Sequence, residues 1–156
     1  MKAFRIVLAC AALLAVAAPT LAADDPHMAA RYFLGTWTCA GTTWTYTPFL
    51  GDPTWIRNAY GDPAKPGGSA IIGYAVGLKK YVYRDFHADG AYADISSDGP
   101  VDGVWTWTGP YYPAEGGVLA GRITYTVTSP SRFERGFESL VDGSYKKMGG
   151  DVCLKA

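Results

Sequence analysis

The chain has 156 residues, with 14 basic and 14 acidic side chains and no net charge. That length holds one domain, and the neutral balance excludes the strongly basic surface on which nucleic-acid binding rests. Five Trp, 11 Tyr and six Phe, against only 18% charged residues, exclude a disordered chain, which buries too little apolar surface to fold.

Residues 1–22 read as a cleaved secretory signal. Lys2 and Arg5 supply the charged start, Ile6 to Ala18 is apolar, Pro19 breaks the run, and Thr20-Leu21-Ala22 offers the small-x-small pattern of a cleavage site. The apolar run is shorter than the roughly 20 residues of a membrane span. Val7-Leu8-Ala9-Cys10 resembles a lipoprotein box, but too little chain precedes Cys10 to hold both a charged start and an apolar core. Residues 23–156 are then a single, mildly acidic domain with no transmembrane segment, expected in the periplasm or secreted.

Cys39 and Cys153 remain after cleavage, and an even pair in a small exported domain is usually a disulfide. A metal site would need about four clustered Cys and His ligands, whereas here two Cys and two His are scattered. Neither Cys has a His beside it in sequence to activate a nucleophile.

Asp24 and Asp25 suit a helix cap and Pro26 a first turn, so a short helix is expected over Met28 to Leu34. Beyond it, β signals take over. Thr36 to Cys39 and Thr42 to Thr47 are rich in β-branched and aromatic residues. Phe49 to Gly68, with Pro53, Pro63, Pro66 and several Gly, reads as a long irregular loop with at most a short strand at Trp55-Ile56-Arg57. Ser69 to Tyr74 is a short strand and Lys80 to His87 a longer one; Asp89-Gly90 then fits a tight hairpin turn. Ala91 to Ser96, Gly103 to Thr108, Val118 to Thr128, Arg132 to Leu140 and Ser144 to Cys153 complete the set, with turns at Ser129-Pro130 and Asp142-Gly143.

Strands joined by such short turns cannot be parallel. The class is therefore all-β: an antiparallel up-and-down barrel of eight to ten strands with a short N-terminal helix. Closure removes the exposed edges. A Cys39–Cys153 bond would hold the first and last β segments within about 7 Å of each other, as a closed barrel requires.

Phe33-Leu34-Gly35-Thr36-Trp37-Thr38-Cys39 resembles the F-x-G-x-W opening of calycin-type barrels. Gly73-Tyr74, Lys79-Lys80-Tyr81-Val82, Asp89-Gly90, Trp105-Thr106-Trp107 and Phe133 to Phe137, ending in Asp142-Gly143 and Cys153, are similar in order to the bacterial DUF1579 family and its exported lipocalin-like relatives. The resemblance implies a lipocalin-like barrel with no established chemistry, in which Trp37 plugs one end. Nitrobindin-like barrels hold haem through a His near the C-terminal end; no His follows His87, and no cofactor is expected.

On Lys80–His87, period two puts Tyr81, Tyr83, Asp85 and His87 on one face and Val82, Arg84 and Phe86 on the other. Apolarity favours Val82 and Phe86 inward; the opposite choice gives a cavity with a carboxylate and an imidazole two residues apart. Arg135, flanked by Phe133 and Phe137, is a candidate cavity charge for an anionic group, or one half of an internal salt bridge with Asp85. Arg122 fits either role. Trp105 and Trp107 share a face and line or fill the barrel. The candidate ligand-binding residues are thus Trp37, Tyr83, Asp85, His87, Trp105 and Arg135. Hydrolase, metalloprotease and phosphate-loop motifs are missing, and the glycines read as turn punctuation. The expectation is an exported protein binding a small, mostly apolar and optionally anionic molecule. The alternatives are a small hydrolase or isomerase using Asp85, His87 and Arg135, or a cell-envelope interaction module presenting Trp55 on the long loop.

Overall fold

The computed structural model describes residues 25–62 and 64–156, so the expected signal at 1–22 lies outside the described residues. A short helix α1 (Pro26–Ala29) runs into a 3-10 turn (Ala30–Phe33). Asp25 caps it, accepting the His27 backbone N–H at 2.9 Å. Then come β1 (Gly35–Cys39), β2 (Thr42–Phe49), β3 (Asp52–Asp62), β4 (Lys65–Ala75), β5 (Lys80–His87), β6 (Tyr92–Ser97), the two-residue β7 (Pro100–Val101), β8 (Val104–Tyr112), β9 (Leu119–Ser129), β10 (Arg132–Val141) and β11 (Ser144–Lys155). Ten of these strands form a closed antiparallel barrel, in which each strand pairs with its sequence neighbour and β7 only borders β8.

Two seams close the wall. At the first, β1 pairs with β11, and Cys39 lies directly opposite Cys153 with a Cα–Cα distance of 4.2 Å and a disulfide joining them. The C-terminal Ala156 N–H also donates to the Thr36 carbonyl. At the second, β6 meets β8, with Ala93 opposite Tyr111 and Ser96 opposite Thr108. Gly109 makes that meeting possible: a Cβ there would lie 2.3 Å from the Asp94 carbonyl oxygen, closer than any side chain tolerates.

The stretch 49–68 is not a loop. It forms all of β3 and the start of β4, a hairpin whose register runs from Trp55 opposite Gly73 to Asp62 opposite Lys65. Nor are Gly67 and Gly68 turn punctuation. They lie inside β4, and a Cβ on either would strike the Tyr60 ring, at 2.9 and 2.5 Å respectively. Their bare backbone is the bed on which that ring rests. Trp55 likewise lies over Gly73 on the outer face, where it is partly covered instead of standing on a free loop.

The face of β5 is also the reverse of what apolarity favoured. Tyr81, Tyr83 and Asp85 are buried inside, while Phe86 is 54% exposed. Val82 is nevertheless buried on the outside, in the row that runs from Trp55 through Gly73 to Val82.

One end of the barrel is sealed. Phe33 is fully buried at its centre, with ring centroids of Tyr46, Trp105, Tyr125 and Phe133 all within 5.9 Å of its own. Trp37 joins this plug, donating its indole N–H to the Phe33 carbonyl at 2.7 Å and packing edge-on against Phe133 at 4.8 Å. The helix is pinned over the end by Tyr81, whose hydroxyl donates to the Pro26 carbonyl, and by Tyr32, whose hydroxyl reaches the carbonyls of Ser129 and Arg132. Trp105 and Trp107, both fully buried, stack with planes 5° apart just above. Aromatic rings at these offsets add attraction beyond their burial, so the plug is rigid and the space it leaves lies at the other end.

Candidate functional site

The open end holds a cavity of about 410 Å³. Its walls come from alternate residues of facing strands: Tyr60 of β3, Tyr83, Asp85 and His87 of β5, Tyr111 of β8, and Arg135 and Phe137 of β10. Room for it exists because small residues face inward beside Asp85. Ala70 and Ala93 flank it on the neighbouring strands, and Gly109 and Gly121 sit across the chamber.

Asp85 is the hub of one polar group. It is 9% exposed, accepts the Tyr60 hydroxyl at 3.0 Å, and faces His87 Nε2 at 3.3 Å. That contact, assisted by the charges of Asp85 and Asp89, raises the His87 pKa above its ordinary 6.5 against the opposing effect of burial. Burial and then Asp85 hold the Tyr60 hydroxyl firmly protonated. The His87 ring also meets Tyr60 and Tyr111 edge-on, at 6.0 and 5.7 Å.

Arg135 is the hub of a second. Its Nε donates to Asp151 Oδ1 at 2.7 Å and its Nη2 to Asp151 Oδ2, a bidentate pair. Its flat face lies 4.1 Å from the Trp44 ring centroid, and Trp44 stacks in turn on Tyr60 at 4.2 Å with planes 13° apart. Tyr125 lines the chamber beside them, and burial raises the pKa of its hydroxyl. The Arg135–Trp44–Tyr60 stack is a partition: on its far side lies a rim cleft of about 500 Å³, between the β1–β2 turn and the β3–β4 hairpin. A third ion pair, Arg122 with Glu138, stands nearer the mouth at 2.9 Å.

Of the six residues expected to bind a ligand, Tyr83, Asp85, His87 and Arg135 line this one chamber, whereas Trp37 and Trp105 belong to the sealed end. The salt bridge expected between Arg135 and Asp85 does not form, since β10 pairs with β11 and brings Asp151 opposite Arg135. Sequence reasoning missed Trp44, Tyr60, Tyr111, Phe137 and Asp151. Period two along Thr42–Thr47 carried the signal for Trp44; only strand register points to Asp151.

Among the described residues, no group of three or more His, Cys, Asp and Glu is placed to hold a metal, and no helix is long and apolar enough to cross a membrane. No protein-family model matches the chain, and no curated protein matches it.

The His87–Asp85 contact has a measurable consequence. Because the His87 pKa is higher folded than unfolded, the pair's stabilisation is complete below the ordinary value of 6.5 and fades as pH climbs through the folded value. Thermal melts of the wild type and His87→Gln across that window are expected to converge as pH rises. In Asp85→Asn the imidazole titration, followed by NMR, is expected to move to lower pH. An unchanged midpoint would show that Asp85 does not set it.

Proposed function

We propose that this barrel is an extracytoplasmic, lipocalin-like binding protein for a small, mostly apolar molecule held in the 410 Å³ chamber. The chamber itself carries this reading: an open-ended hollow of ligand-pocket size, with aromatic walls broken by a few convergent polar groups. The disulfide and the leader expected at 1–22 support a site of action outside the cytoplasm. A second reading, a small hydrolase or isomerase, is favoured by the Asp85–His87 contact, a geometry suited to holding and moving a proton. In that reading the charge of Arg135 is already paired with Asp151, which weakens its pull on an anionic intermediate.

Gly121 lines the chamber, and a Cβ added there finds only ordinary contact, 3.9 Å from the Glu138 carbonyl oxygen. Gly121→Trp therefore directs an indole into the hollow from a position where the wall accepts a Cβ. The neutral fluorophore N-phenyl-1-naphthylamine is expected to bind the wild type at one site and the variant at least about tenfold more weakly. Native mass spectrometry of wild type purified from its own host is expected to show a retained small mass that Gly121→Trp lacks. Equal dye binding by both proteins would place the dye elsewhere and sink the reading; turnover of a chromogenic ester that Asp85→Asn abolishes would favour the enzyme.

A further inference from the structure

The charged groups around the chamber are not evenly served. Arg135 is matched by Asp151 through Nε and Nη2, and its Cζ lies over the Trp44 ring. Arg122 is matched by Glu138, which it grips through both Nε and Nη2. What is left is Asp85, a carboxylate with a 12% exposed side chain whose two partners are a phenol and an imidazole, neither of which carries a permanent positive charge. Other groups facing it are tyrosines: Tyr46, Tyr83, Tyr111 and Tyr125 all lie within reach of its field. With His87 neutral, the chamber therefore carries one uncompensated negative charge inside a wall of aromatic rings.

We propose that the chamber selects a cation on an apolar body, an alkyl- or arylammonium, with the charged nitrogen drawn to Asp85 and the rings of Tyr83, Tyr111 and Phe137 around it. A buried carboxylate is stabilised by an opposite charge brought beside it, and ring faces attract ammonium groups electrostatically. An anion finds the reverse, since each guanidinium is already charge-paired with a carboxylate, Arg122 with Glu138 and Arg135 with Asp151. This rests on the binding reading above and replaces its optional anionic group with a positive one.

Protonated His87 competes with such a ligand for Asp85. Binding therefore strengthens as His87 loses its proton. The groups that tune this competition are Tyr60 from β3, Tyr111 from β8 and Asp89 from the β5–β6 turn, with Arg135 of β10 already neutralised by Asp151.

Three probes of similar shape test it by calorimetry: benzyltrimethylammonium, whose charge is fixed at every pH, its uncharged carbon analogue neopentylbenzene, and the anion 3-phenylpropionate. The cation is expected to bind the wild type at least roughly tenfold tighter than either of the others. Asp85→Asn is expected to erase that preference while leaving neopentylbenzene unaffected. The wild-type affinity for the cation is expected to rise with pH through the His87 titration, and that of His87→Gln to stay flat. Equal binding of cation and neutral analogue, or tighter binding of the anion, overturns the charge preference and leaves the binding reading standing. Should all three probes and the naphthylamine dye fail to bind, the binding reading falls with it.

Discussion

Replacing Asp151 by Ala is expected to cost about 3–5 kcal/mol of folding stability, the penalty for leaving a buried charge without its partner. Arg135 is only 7% exposed, and its guanidinium is held in its charged form by Asp151 despite burial. It cannot escape by shedding its proton. It cannot swing out to water either, because Trp44 lies flat against it and Phe137 crowds it at 5.3 Å. The pair Arg135→Met with Asp151→Leu removes both charges together and is expected to recover most of the loss. Urea denaturation of the wild type, Arg135→Met, Asp151→Leu and the double variant in a double-mutant cycle separates the ion pair from the packing. If Asp151→Ala and the wild type unfold within about 1 kcal/mol of each other, water reaches Arg135 and the partition is looser than described.

Substitution of both Cys39 and Cys153 by Ala is expected to cost a similar amount, about 4–5 kcal/mol in the chain-entropy account of a loop this long. The bond spans 114 residues, nearly all of the described fold, so without it the unfolded chain regains most of its freedom. Native packing near the bond would change little, because both sulfurs are buried where β1 and β11 already pair. Together with a total stability of only about 5–15 kcal/mol for a typical domain, such a loss would leave a protein that folds at low temperature and melts early. Denaturation in urea with and without reductant checks this. Equal midpoints would mean that the β1–β11 pairing alone fixes the ends even in the denatured ensemble.

The closed barrel was legible from short turns and one cysteine pair, because topology needs only the order of the strands and a constraint on their ends. Lys80–His87 was legible to the residue, as was the Asp89-Gly90 turn, where Gly90 adopts φ +92°. The hairpin at 52–75 was not, because Pro and Gly speak for loops unless something else fills their space. Here the missing Cβ atoms of Gly67 and Gly68 are filled by Tyr60, a residue of the facing strand that no local window connects to them. The orientation of β5 was misjudged for a related reason. Burial of apolar residues is a statement about the whole surface: Val82 is buried on the outer face, in one row with Gly73 and Trp55, so its burial requires no inward position, and the inner face holds Asp85. As for the site, its members on β5 and β10 followed from alternation, while the pairing of Arg135 with Asp151 depended on a register that composition does not encode.

Ala156 lies beside Thr36, next to the sealed end, far along the strands from the chamber. A sensor surface coupled through Ala156 would therefore hold every molecule with its entrance pointing into the flowing solution, so that immobilised protein and free protein should report the same affinity.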